Sequence, residues 1–245
     1  MAEYNTRIRT GAMQDVVIDA GLRAYMLRVY NYMLMGLALT GATAYLTAVT
    51  PLGALFYDIQ GGYIVGMNPL GWVAMFAPLA MVFLLGFRIQ QMSLPAVQAT
   101  FWAYSALMGV SLTPILFIYT GASVAQVFFI TAATFGAMSL YGYTTGRDLS
   151  SFGSFLFMGL IGLLIASLVN MFLQSSMMQW VLSVIGVLIF TGLTAYDTQR
   201  IKEEYYEGHD HETTSKMALM GALSLYLNFV NLFSMLMSLF GSKDE

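Results

Sequence analysis

The chain has 245 residues, 58% of them hydrophobic and 9% charged, with a net charge of -3 and a mean hydropathy of +0.70. That is more apolar surface than a soluble domain buries, so lipid must be the solvent for most of it. No basic stripe with interleaved aromatics is present, which argues against nucleic acid as a partner, and zero cysteines exclude disulfides and thiolate chemistry.

Residues 1–24 read as a polar N-terminal segment. The apolar run behind them is long and lacks the small-residue cleavage site of a removable signal peptide, so it is expected to stay as the first span. Crossing a bilayer takes about 20 mainly apolar residues whose backbone groups are bonded within the segment. Seven runs meet that need: Val29–Val49, Leu70–Phe87, Leu94–Tyr119, Ala122–Tyr143, Phe152–Leu173, Met177–Tyr196 and Met217–Phe240. They are continuous rather than alternating, which argues against a barrel. Pro51, Asn68-Pro69, Thr120-Gly121 and Ser150-Ser151 punctuate them, the last pair as an expected cap of the fifth helix. Leu52–Gly66 holds Asp58, Gln60 and Gly61-Gly62 and reads as an interfacial loop. The expected architecture is all-α: a seven-transmembrane-helix bundle over residues 25–241, followed by a short tail, 242–245.

With the N-terminus cytoplasmic, Arg7, Arg9, Arg23, Arg28, Arg88, Arg147, Arg200, Lys202 and Lys216 share one side and only Lys243 lies outside. The charges therefore favour seven spans with the C-terminus out. Six spans, with one run re-entrant, would bring the tail inside.

Asp197 is the one carboxylate preceded by unbroken apolar helix, and Arg88 is the one base ending the second span. Ionisable groups are costly in a membrane, so each is a functional candidate. The topology puts them at similar depth, where they could form an ion pair. The blander reading has Arg88 snorkelling to headgroups and Asp197 capping its helix beside Arg200. Ser183, Gly186, Thr194 and Asp197 share a side of the sixth helix, and Gly221, Ser224, Asn228, Asn231 and Ser238 fall on one stripe of the seventh. Such stripes serve interhelical hydrogen bonding or line a hydrated path. Asn228 and Asn231 carry amides that need partners in hydrocarbon, and are expected to face Asp197 or water. His209-Asp210-His211-Glu212 lacks metal-ligand spacing and reads as solvated loop. With the only two histidines in that loop, the sequence lacks the nucleophile-base pair or ligand set of an intramembrane enzyme. No resident cofactor is expected.

Four blocks resemble the Bax-inhibitor-1 family of transmembrane proteins, in its bacterial form: Arg28-Val-Tyr-Asn-Tyr-Met, Gly109-Val-Ser-Leu-Thr-Pro-Ile, Thr194-Ala-Tyr-Asp-Thr-Gln-Arg-Ile-Lys202, and Ala222-Leu-Ser-Leu-Tyr-Leu-Asn-Phe-Val-Asn-Leu-Phe233. The resemblance implies six helices around a central seventh and a pH-sensitive calcium leak. It also implies two aspartates on the last two helices that share a proton near an arginine of the second. Asp197 matches the first aspartate and Arg88 the arginine. The second position is Asn228, a departure that removes the coupled titration of two carboxylates. The resulting expectation is an Arg88–Asp197–Asn228 contact that closes the cytoplasmic end, with Asn231 beside the path and Asp197 as a weak, transient calcium ligand. A rival reading is a non-transporting regulator that binds and restrains a membrane protease through residues 1–24. Both place the protein in a bacterial inner membrane.

Overall fold

The computed structural model describes the backbone of residues 2–61 and 63–243 and the side chains of residues 20–61 and 63–243. Seven helices dominate: α1 (Ala2–Val49), α2 (Pro69–Arg88), α3 (Leu94–Ile118), α4 (Gly121–Thr144), α5 (Ser150–Leu173), α6 (Ser176–Glu204) and α7 (His211–Phe240). All seven are long and apolar enough to cross a membrane, α1 by its part from Ala20 to Val49. The chain is a polytopic all-α membrane protein.

Local chemistry sets the helix starts. Pro69 and Pro95 occupy first-turn positions of α2 and α3, where a missing N–H costs nothing. The Thr120 and Ser175 hydroxyls accept the backbone N–H of Ser123 and Met178, and Asp210 accepts those of Glu212 and Thr213. At α5 the expected Ser150-Ser151 cap gives way to Asp148, whose Oδ1 accepts the Ser150 N–H at 2.8 Å; Ser150 is already helical because the acidic side chain before it is free to turn back. The α5–α6 turn passes through Gln174 in the left-handed region (φ 50°), and Asn170 Oδ1 takes the Ser175 N–H.

Between α1 and α2 the expected loop holds a short 3-10 turn, Pro51–Leu55, and an antiparallel hairpin of β1 (Tyr57–Gln60) and β2 (Tyr63–Met67). Tyr57 anchors it: its buried hydroxyl donates to Val110 O at 2.7 Å. That carbonyl is free because Pro114, four residues on in α3, has no N–H to offer it. Pro78 likewise frees Ala74 O in α2, and Ser111 Oγ of α3 donates to it at 2.8 Å. Each proline thus opens a backbone acceptor that a neighbouring element fills. Burial pushes the Tyr57 phenol up to about 12.

α7 packs chiefly on α1, α3, α4 and α6, while α2 leans on α3 and α5 on α6. Half of α7's most apolar window is buried (50%), against 17% of α5's, so the last helix is central and α5 faces lipid. The ring around α7 therefore consists of four helices, with α2 and α5 in an outer layer. Water exclusion gives little drive between helices in lipid, so close approach through small residues matters. A side chain on Gly109 would meet Thr40 O and Thr43 of α1, and one on Gly142 would meet Ala195 O of α6.

At one face of the bundle the rings of Tyr25 and Tyr205 sit 5.3 Å apart. At the other, Thr120 N–H donates to Ser242 O and Ser242 N–H to Ser123 Oγ. The outer ends of the first and last spans thus lie on opposite faces, as an odd number of spans requires.

Candidate functional site

The expected sixth span ends at Tyr196, but α6 continues for two turns to Glu204, so Asp197 lies inside the helix rather than at its end. It is buried, 5% exposed, and faces α7. Asn228 Nδ2 donates to Asp197 Oδ2 at 2.7 Å. Oδ1 lies 3.0 Å from Nη2 of Arg200, one turn along the same helix. Nη2 also donates to Ser224 Oγ of α7 at 3.1 Å, and the guanidinium Nε faces Glu204 at 3.5 Å. Among the described residues no donor is aligned on Oδ1 as a hydrogen bond; its contact with Arg200 is one of charge.

Arg88 does not join this group. It is exposed at the end of α2, where Nη1 donates to Gln91 Oε1 at 3.4 Å. The expected Arg88–Asp197 pair is replaced by Arg200–Asp197, because α2 belongs to the outer layer and the i,i+3 neighbour on α6 is already in reach. Asn231 points along the same stripe; its Nδ2 donates to Leu227 O at 2.8 Å.

These groups form the polar wall of a cavity of about 440 Å3. Asp197 and Arg200 come from α6, and Ser224, Asn228 and Asn231 from α7; Pro78 of α2, Tyr104 of α3 and Leu164 of α5 help close it with apolar surface. Among the described residues Asp197 is the only carboxylate in the lining. An acidic group with an unaligned oxygen, beside two amides and a hydroxyl, can exchange its cationic partner or take up a proton with little rearrangement.

The rest of the α6–α7 seam is structural. Ser183 Oγ donates to Ser238 Oγ at 3.0 Å, Gly186 makes room for Met235, and Gly221 for Ile201. The Thr194–Lys202 block holds further parts of the bundle. Thr198 hydrogen-bonds Ser139 of α4, Gln199 clamps the α4–α5 turn through Arg147 O and the Leu149 N–H, and Lys202 donates to Tyr143 O. Asp210 is occupied as the α7 cap. The contact expected by the regulator reading, residues 1–24, lies outside the described side chains as far as residue 19.

The family profile described as "Inhibitor of apoptosis-promoting Bax1" matches residues 22–245. The chain belongs to the Bax inhibitor-1 family. Among its relatives, a Caulobacter vibrioides protein is 48% identical over 94% of this chain and 93% of its own length. A Rickettsia prowazekii protein is 47% identical over the full length of both. The Escherichia coli inner membrane protein YbhL is 44% identical over 91% of this chain and 94% of its own. Within this Bax inhibitor-1 family chain, the third-span block is explained by the two freed carbonyls and the α1–α3 approach, and the sixth-span block by the Asp197 cluster and its clamps.

Proposed function

We propose that the chain is a pH-sensitive cation leak of the bacterial inner membrane, with calcium as cargo, N-terminus cytoplasmic and C-terminus outside. The observation that carries this reading is the Asp197–Arg200–Asn228 cluster on the wall of a cavity inside the span. The contact between half-buried Arg200 and buried Asp197 has no aligned hydrogen bond and recovers little of the carboxylate's desolvation cost, so it is poorly suited as a stabilising device and well suited as a latch. Arg200 neutralises the carboxylate and ties α6 to Ser224 of α7; protonating Asp197 removes the charge that holds Arg200 in place and frees the cytoplasmic end of the cavity. With Asp197 protonated the polar wall offers only neutral oxygens, from one carboxyl, two amides and a hydroxyl, too sparse a ligand set for calcium storage, which takes six to eight oxygens, and suited to transient passage. The inner-membrane assignment draws on the name borne by the E. coli relative, and the orientation on the one-sided basic residues.

Calcium flux through purified protein in liposomes tests the latch. Arg200→Gln unpairs Asp197 and is expected to raise flux, whereas Arg88→Gln leaves it at the wild-type level. Equal effects of the two substitutions, or none from Arg200→Gln, would remove the latch from the account.

A further inference from the structure

α1 and α4 scarcely meet; each packs instead on α7. Between them, toward the α6–α7 turn, lies a groove of about 480 Å3 bounded by Arg23, Leu27 and Tyr30 of α1 and Gly136, Leu140 and Tyr143 of α4. Its floor is buried Phe135 and the Tyr30–Ser139 hydroxyl pair, 2.5 Å apart, which bridges the two helices. A side chain on Gly136 would meet no protein atom within 4 Å, so packing against a neighbouring helix does not require its small size. Arg23 is the charged residue of the lining and is exposed at the mouth; Lys202, outside the lining, donates to the Tyr143 carbonyl with its Nζ 5.2 Å from the Tyr143 ring centroid.

We infer that this groove binds an anionic phospholipid of the leaflet at the α1 N-terminal face, with its phosphate at Arg23 and an acyl chain running over Gly136 against Phe135. The groove opens to hydrocarbon, so an acyl chain is the occupant its solvent supplies, and leaving it empty would forfeit contacts along both walls. From Arg23 to Tyr30 the helix rises about 10 Å, enough to take the upper part of a chain whose headgroup stays at the interface. Basic residues at that level favour an anionic headgroup. The site is separate from the Asp197 cavity and does not depend on whether the protein passes ions.

The test uses the full chain in phosphatidylcholine nanodiscs doped with a diazirine-bearing phosphatidylglycerol, with photo-adducts mapped by peptide mass spectrometry. Adducts are expected to concentrate on residues 23–30 and 135–143. Gly136→Leu should deplete them, with Gly136→Ala as the milder filling where the leucine variant is not monodisperse. Arg23→Gln should weaken them about fivefold, the loss of one interfacial basic contact, without changing labelling by a phosphatidylcholine probe. Adducts spread evenly over the lipid-facing helices, equal labelling by the two probes, or adducts indifferent to both substitutions would overturn the site.

Discussion

Asp197 has one partner across the helix interface and one on its own helix, and the two do different work. Asn228 fixes the carboxylate through a 2.7 Å hydrogen bond, and Arg200 balances its charge at 3.0 Å. Replacing Asn228 with aspartate would set two carboxylates in contact, whose protons then come off as a coupled pair. Asn228→Asp is therefore expected to displace the pH midpoint of flux; a midpoint that stays put would take position 228 out of the titration. Asp197, Asn228 and Asn231 were legible in the sequence because polar groups stand out in an apolar run. Arg200 entered only the blander reading, as the neighbour of an Asp197 at its helix end, because hydropathy falls at Tyr196 while the backbone continues as helix. The run reports the solvent around the chain, and the ion pair depended on two further turns.

Among the elements, the prolines of α2 and α3 carry the most specific forecast. Tyr57→Phe leaves Val110 O, already deprived by Pro114, without a donor, and should cost about 1–3 kcal/mol in thermal unfolding in detergent. Adding Pro114→Ala returns an N–H to that carbonyl, so the double variant should recover much of the loss; strict additivity would mean that the two residues do not share the acceptor. The start of α7 gives a pH forecast. The Thr213 hydroxyl bond to Asp210, helped by the backbone N–H groups of Thr213 and Glu212, holds its carboxyl below the usual range. The cap thus stabilises α7 above the unfolded value of about 4 and is lost as pH falls through the lowered one. Hydrogen exchange at Glu212 and Thr213, corrected for intrinsic rate, should accelerate over that interval; constant protection would contradict the cap. The hairpin escaped sequence reading because its strands are four and five residues long, and what fixes them is a carbonyl fifty-three residues away.

At the scale of the whole molecule, seven spans and their order were readable because bilayer thickness sets the length of each run. The division into four inner and two outer helices was not, since outside α6 and α7 no polar stripe was read that would reveal facing. The stripes of α6 and α7 did indicate their mutual seam, and that seam carries both the structural serines and the latch. The bundle thus places one charged cluster beside its central helix, at a cavity also walled by α2, α3 and α5. The pH profile of calcium flux, taken for wild type and Asp197→Asn side by side in the same liposomes, tests whether that cluster is the gate. A wild-type flux that rises as pH falls and a variant flux that is raised and flat are the expected result; two superimposable profiles would contradict it.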